Sequence, residues 1–201
     1  MKTFQRVLFL LAFVPLSAYT ARHVYRRWIE PRDSVLDEFR EPIDEEIETA
    51  SDLESLVARY RKVKHEVDKI AAKHKGEDED EWKDTSEEPF KSEWKLRNAI
   101  ENWEAREKEI FELRVYWAFG FLAVLSGTIL VRKNPWLGLA MLITGFSEMI
   151  WWTSPPWGGG SAVEFDRLLI NKLFFSVASL GLLLGVAWLI GLFSEQPGPE
   201  R

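Results

Sequence analysis

The amino-acid sequence predicts an all-α integral membrane protein, a helical bundle of about four spans with an extramembrane antiparallel helical hairpin. Three apolar segments, 115–131, 136–153 and 173–193, contain 17, 18 and 21 residues. At about 1.5 Å of rise per residue, each would reach or nearly reach across a hydrocarbon core of roughly 30 Å. A chain of 201 residues has too little other sequence to bury three such segments in a soluble core. We therefore expect a transmembrane region of three helices over 115–193.

The N-terminal segment, 1–25, predicts a fourth membrane helix. Lys2 and Arg6 precede an apolar run over 7–18, which has the length of the hydrophobic region of a signal peptide. Extended to 4–25, the run is long enough to span, with basic side chains at its edges that can reach the interface. Pro15 would kink such a helix, whereas the poor small-residue cleavage site at 16–18 favours an uncleaved anchor. A cleaved signal peptide is the alternative.

The basic residues of the loops give conflicting indications of orientation. With four spans, both termini, including the polar tail 194–201, lie on the side of the short turn that contains Arg132 and Lys133. The positive-inside rule gives short loops the most weight, so this turn, with Lys2 and Arg6, predicts cytoplasmic termini and an extracytoplasmic segment 26–114. Four arginines between residues 22 and 32 favour the reverse orientation.

The charge of the chain is concentrated in its middle. Segment 76–88 contains eight acidic residues and one lysine, and its net charge of −7 exceeds the −6 of the whole chain. Nucleic acid is not expected as a partner, because binding it requires clustered basic residues. Gly76 precedes the acids, which is the wrong order for an EF-hand loop. We interpret the segment as a solvated loop rather than a calcium site.

The hydrophilic segment 26–114 predicts two paired helices. In the first, apolar residues recur at spacings of three and four, as in the seam of a coiled coil. The seam residues are Leu53, Leu56, Tyr60, Val63, Val67 and Ile70. Ser51 and Glu54 form a capping box at its start, and Gly76 is a typical helix terminator. The second helix begins near residue 90 and continues without Gly or Pro into the apolar segment at 115.

The two soluble stretches match in length and predict a stalk. Segments 52–75 and 90–113 have 24 residues each, about 36 Å as helices, so they can pair antiparallel with 76–88 as the tip. In the interpretation we favour, the hairpin is self-contained and packs Leu53, Val63 and Ile70 of the seam on apolar residues of the second helix, which are Leu96, Trp103 and Ile110. In the alternative, the seam binds a partner chain or a second copy.

Glu148 is the one acidic residue within an apolar segment. Ionisable groups in a membrane span are costly and are candidates for function. In a four-span topology, Lys172 and Arg114 lie on the same side of the bilayer as Glu148. We predict an ion pair of the acid with one of them, and the alternative is a proton or cation site.

Small residues spaced four apart predict close helix contacts, because they let two backbones approach each other. Ala123 and Gly127 have this spacing in one apolar segment, and Gly181 and Gly185 have it in another. We predict helix packing at both pairs, either within the bundle or between copies.

The sequence contains no recognisable catalytic or cofactor-binding motif. It lacks cysteine, and we place its three histidines, His23, His65 and His74, outside the apolar core. We therefore predict no enzymatic activity, no cofactor and no metal. The first hypothesis is an accessory, assembly or scaffolding subunit of a membrane complex, acting through its stalk and small-residue helix faces. Its partners would be the lipid bilayer and a membrane protein or a second copy. The alternative is a small oligomeric ion or proton conductor that uses Glu148.

Overall fold

The computed structural model describes residues 2–30, 40–76, 82–156 and 162–193. These residues form six α-helices and no β-strand, so the predicted all-α class is confirmed. The helices are α1 Lys2–Val24, α2 Pro42–Thr49, α3 Leu53–Lys73, α4 Phe90–Leu130, α5 Pro135–Trp152 and α6 Ala162–Leu189, with a π-helical turn Tyr25–Ile29 after α1. Part of the predicted acidic tip, 77–81, and the predicted polar tail, 194–201, lie outside the described residues.

The start of α3 is set by an aspartate cap. The carboxylate of Asp52 accepts a hydrogen bond from the amide of Ser55 at 2.8 Å, which satisfies one of the free amides of the first turn. The hydroxyl of Ser51 donates to the same carboxylate at 2.9 Å. The N-cap of α3 is therefore Asp52, one residue after Ser51 of the predicted capping box. The Asp52 carboxylate is a better hydrogen-bond acceptor than the Ser51 hydroxyl, which instead donates to that carboxylate.

α4 is one continuous helix of 41 residues, about 60 Å long. Its first part is rich in charged residues, and its second part coincides with the apolar segment 115–131. The continuity follows from the absence of Gly and Pro over 90–115, where nothing interrupts the ladder of backbone hydrogen bonds.

Three helices are long and apolar enough to cross a membrane, namely Lys2–Ile29, Phe90–Leu130 and Val163–Leu189. They correspond to the predicted N-terminal anchor and to two of the three predicted C-terminal segments. α5, which covers the remaining segment, is not among the three in the described part of the chain. Its 18 residues are just sufficient for a span, but Glu148 and the tryptophans at its two ends lower its mean hydropathy.

The chain divides into two compact units, which are described separately. Residues 1–30, 110–157 and 169–201 form the first, here named the bundle unit. Residues 31–109 and 158–168 form the second, here named the hydrophilic unit.

The bundle unit has one apolar core, to which four helices contribute. Its buried side chains are Ala12 and Leu16 of α1, Val124 of α4, Leu139, Leu142, Phe146 and Met149 of α5, and Leu183 and Val186 of α6. Four of these nine residues come from α5. α5 therefore supplies the largest share of this core.

The hydrophilic unit has a separate, smaller core. Its buried side chains are Ile43 of α2, Leu56 and Val63 of α3, and Leu96, Ala99 and Trp103 of α4. Val163, at the start of α6, packs on the same cluster. α2, α3 and the charged part of α4 are thus joined by apolar contacts of their own.

Candidate functional site

Two buried basic side chains of the bundle unit bind the backbone carbonyls that follow α5. Nε2 of His23, at the end of α1, lies 2.8 Å from the carbonyl oxygen of Thr153. Because a carbonyl oxygen can only accept, Nε2 carries the hydrogen of this bond. The ammonium of Lys172 in α6 donates to the carbonyl of Ser154 at 2.7 Å. His23 is 0% exposed and Lys172 is 4% exposed, so both bonds are shielded from solvent.

A third basic residue, Arg26, is placed by the π-helical turn after α1. Its guanidinium donates to the carbonyl of Pro156 at 3.0 Å and lies 3.3 Å from the carboxylate of Glu30. In this turn the amide of Glu30 bonds to the carbonyl of Tyr25 at 2.8 Å, five residues earlier in the chain. Such wider turns are often found at functional sites. Here the turn lies at the point where α1 meets the segment 153–156.

We name His23, Arg26 and Lys172 the basic cap, because together they bind the carbonyls of the segment that follows α5. The negative end of the helix dipole also favours cations at this position. Pro155 and Pro156 have no amide hydrogen to offer there, so side chains provide the donors. The basic cap thus ties α1 and α6 to the end of α5, and its cations are bound by backbone oxygens and, at Arg26, by the carboxylate of Glu30.

The basic cap also contains a buried atom without a partner. Nδ1 of His23 has no hydrogen-bond partner among the described residues, and neither has the buried hydroxyl of Ser176 in α6. With its hydrogen on Nε2, a neutral His23 presents Nδ1 as an acceptor. The sequence-based placement of all histidines outside the apolar core is wrong for His23, because α1 packs along α5 and buries the edge of its apolar run.

Glu148, the acid predicted to pair with a cation, accepts its hydrogen bond from an indole. Nε1 of Trp152, one turn later in α5, donates to the carboxylate of Glu148 at 3.1 Å. The ring of Trp152 stacks on that of Tyr116 in α4, with centroids 4.5 Å apart. The tryptophan is therefore held on one side by an aromatic ring while it binds the acid through its N–H.

The two cations predicted as partners of Glu148 have other acceptors. Lys172 belongs to the basic cap, and the guanidinium of Arg114 donates to the side-chain oxygen of Asn171 at 3.0 Å. Within the described residues, the structure does not bring the carboxylate of Glu148 together with either cation. Topology places residues on one side of a bilayer, but it does not decide which faces of their helices meet.

α4 and α5 approach each other closely at two pairs of glycines, here named the glycine contact. A Cβ atom added to Gly120 would lie 2.8 Å from the carbonyl oxygen of Gly145, and one added to Gly127 would lie 2.8 Å from that of Gly138. Cβ atoms essentially never come within 3.0 Å of such a heavy atom, so both pairs require glycine. The two glycines of each helix are seven residues apart, a spacing that keeps them on one face.

The small-residue pairs predicted from the sequence have different environments. Gly127 belongs to the glycine contact, and Ala123, four residues before it, is half-buried. Gly181 and Gly185 are exposed, and a Cβ atom added to either would meet no other atom within 4 Å among the described residues. No described helix therefore covers this face of α6.

The predicted seam of α3 faces the interior of the hydrophilic unit. Its buried members are Leu56, Val63 and Val67, and its half-buried members are Leu53, Tyr60 and Ile70. Two of the buried members share a cluster with Leu96 and Trp103 of α4. The seam thus packs on a helix of the same chain.

Trp94 differs from the other apolar residues predicted along the second helix. Its side chain is 59% exposed, whereas Trp103 is 2% exposed. Of the large apolar side chains in the described part of the hydrophilic unit, only Trp94 is exposed. It lies on an outer face of α4 beside an ion pair in which the Arg97 and Glu101 side chains are 2.9 Å apart. Trp94 thus lies outside the face of α4 that packs on α2 and α3.

An ionic cluster holds the start of α2 to α4. Nζ of Lys95 lies 2.8 Å from carboxylate oxygens of both Glu41 and Asp44, and Lys91 also pairs with Glu41. Hydrogen bonds from the two lysines hold the pKa of Glu41 below its ordinary value. Burial alone would raise the pKa of Asp44, but hydrogen bonds from Lys95 and from the Glu41 amide outweigh it and lower that pKa.

The chemistry offered by these sites is that of binding and packing. The described residues contain no group of three or more histidine or acidic side chains placed to hold a metal ion.

Comparisons of the chain with protein-family models, with curated proteins and with solved structures find no match. Its function has to be inferred from its own residues.

Proposed function

We propose that the chain is a non-catalytic integral membrane subunit that assembles with a partner protein through its hydrophilic unit. In this proposal the bundle unit crosses the bilayer four times, and α5 crosses together with the three helices that are long and apolar enough to span. The shared core supports four crossings, since α5 contributes four of its nine buried residues. A helix whose polar groups are bound within a bundle does not need the hydropathy of a helix surrounded by lipid.

The observation that carries the proposal is the exposure of Trp94. An indole that is 59% exposed on a charged helix leaves apolar surface in water, and Trp94 is the one exposed large apolar side chain in the described part of the hydrophilic unit. Tryptophan is also among the residues that contribute most to protein interfaces. The ion pair of Arg97 and Glu101 beside it would form the polar rim that surrounds such a residue in an interface.

The partners of the polar residues in the bundle unit favour a subunit over an ion conductor. Lys172 binds a backbone carbonyl, and Glu148 accepts from an indole. A conducting path requires polar groups that face water or each other across the membrane. Lys172 instead joins α6 to the segment after α5, and Glu148 is bonded within α5 to an indole that stacks on Tyr116 of α4.

Photo-crosslinking in native membranes tests the proposal. A photoreactive amino acid at position 94 is expected to give one crosslinked species of defined mass, whereas the same amino acid at Lys62, exposed on α3, is expected to give none. Trp94→Ala should weaken co-purification of the crosslinked partner at least about thirtyfold, the effect of an interface residue worth 2 kcal/mol. The matched variant Lys62→Ala should leave it unchanged. Absence of a crosslink at 94, or full retention of the partner by Trp94→Ala, would contradict the proposal.

The proposed orientation has cytoplasmic termini and an extracytoplasmic hydrophilic unit. The absence of cysteine from the chain allows single cysteines to report topology. In intact cells, Ser86→Cys should react with a membrane-impermeant maleimide and Lys133→Cys should react only after permeabilisation. The opposite pattern would reverse the orientation without affecting the proposed role of Trp94.

A further inference from the structure

The bundle unit has a cleft at the opposite end of α5 from the basic cap. The cleft lies between the ends of α4 and α6, has a volume of about 350 Å³ and is lined by Thr128, Ile129, Arg132, Lys133, Leu189 and Ile190. We propose that this cleft, here named the basic cleft, binds an anionic phospholipid. The headgroup phosphate would lie on the two cations, and an acyl chain would lie along the apolar walls.

The cations of the basic cleft have no acidic partner in the described part of the chain. Arg132 and Lys133 are exposed, and neither side chain makes a hydrogen bond or an ion pair with another described residue. The turn that carries them is held by the backbone, where the amide of Lys133 bonds to the carbonyl of Leu130 at 2.9 Å. Both side chains are therefore available to an anion.

The acids of the bundle unit lie away from the basic cleft along the helices. In the described residues of this unit they are Glu30, Glu112 and Glu148. Glu148 is 13 residues after the start of α5, about 20 Å along the helix axis. Glu30 follows α1 and Glu112 precedes the apolar part of α4, so both belong to the other end of their helices. Among the described residues of the unit, no acid therefore lies at the end that carries the basic cleft.

The walls of the basic cleft are apolar and exposed. Ile129 is 67% exposed and Leu189 is 50% exposed, and the hydroxyl of Thr128 is already bonded to the carbonyl of Val124 at 2.7 Å. A free phosphate ion would leave these walls uncovered. A phospholipid covers them with its acyl chain while its phosphate meets the cations, and basic pockets between membrane helices are known to take anionic headgroups.

Lipid titration of the full-length protein in detergent tests the proposal, with bound lipid counted by native mass spectrometry. Phosphatidylglycerol should bind with at least about tenfold higher affinity than phosphatidylcholine of the same acyl chains, because each cation near an anionic headgroup contributes a factor of about five. The double variant Arg132→Gln with Lys133→Gln should lower the affinity for phosphatidylglycerol about twentyfold by the same reasoning. Both side chains are exposed, so helicity and elution volume should be unchanged.

The matched control removes two cations that do not line the basic cleft. Lys2→Gln with Arg6→Gln, at the exposed start of α1, should change the affinity less than about twofold. An equal loss in both double variants would show a diffuse basic surface and overturn the proposal, as would equal binding of the two lipids. Competition by free glycerol phosphate at the lipid's own concentration would overturn the role of the apolar walls. A dimer that forms without lipid and dissociates in the Arg132 and Lys133 variant would assign the cleft to a second copy instead.

Discussion

Replacing Gly145 by alanine adds one methyl group where α4 and α5 lie closest together. The added Cβ would lie 2.6 Å from the carbonyl oxygen of Gly120 and 2.7 Å from Cγ2 of Val124. Cβ atoms essentially never come within 3.0 Å of other heavy atoms. The two helices would therefore have to move apart by several tenths of an ångström, which loosens contacts along their whole interface.

The expected magnitude follows from two opposing effects. Overpacking of a filled interface costs about 1–3 kcal/mol, and the higher helix propensity of alanine returns at most about 1 kcal/mol. Gly145→Ala should therefore lower the free energy of unfolding by about 1–2 kcal/mol. Gly181→Ala is the matched control, since the same methyl group meets no atom within 4 Å among the described residues. It should leave the free energy of unfolding unchanged or raise it by up to about 1 kcal/mol.

Reversible unfolding in mixed micelles of mild detergent and dodecyl sulfate, followed by far-UV circular dichroism, measures both variants. The expected difference between Gly145→Ala and Gly181→Ala is about 2 kcal/mol. Equal effects of the two substitutions, or a more stable Gly145→Ala, would refute the assignment of the glycine contact. Val124 is buried beside Gly145, so a compensating Val124→Ala should recover part of the loss.

Three further results are expected. Lys172→Met removes a buried donor from its carbonyl acceptor and should lower the free energy of unfolding by about 1.5–3 kcal/mol; unchanged unfolding in the same micelles would contradict the basic cap. Glu148→Gln keeps an oxygen that can accept from the indole of Trp152, so the bundle should assemble as in wild type. Because the proposed subunit conducts no ions through this carboxylate, proton flux in liposomes should also equal that of wild type; a lost flux would favour the conductor. Folding lowers the pKa values of Glu41 and Asp44. The two ionised carboxylates therefore stabilise the fold at pH values above their unfolded-state pKa values, and this stabilisation is lost as the pH falls through their folded-state pKa values. Thermal unfolding should shift to lower temperature below about pH 4.5, and Lys95→Met should flatten this dependence; an unaltered acid limb would count against the ionic cluster.

Much of the fold could be predicted because it depends on local pattern. The apolar run after 115 and the lack of Gly or Pro before it are sufficient for the long helix α4. The spacing of three and four in α3 identified its inward face, of which Val63 is a buried member. α5 was predicted as a span from its apolar run, but it is not among the three helices of the described chain that are apolar enough to cross a membrane, since Glu148 and the terminal tryptophans lower its mean hydropathy.

The sites were harder to predict because they join residues distant in the chain, often through the backbone. His23 and Thr153 are 130 residues apart, and a carbonyl acceptor leaves no signature in the side-chain sequence. The glycine contact had a signal, since glycines seven apart occur symmetrically on both sides of the turn 131–134. A search for small residues four apart does not detect that spacing.

By itself, the sequence determined the helical class, three helices apolar enough to cross a membrane and the inward face of α3, because each depends on hydrophobicity and periodicity along a single stretch of chain. Tertiary structure decided which faces meet. It paired α4 with α5 through glycines, gave the carboxylate of Glu148 an indole, and placed Trp94 at the surface while Trp103 became core. The physical reason is that the rotation of one helix against another is set by packing between distant segments, which no local pattern contains.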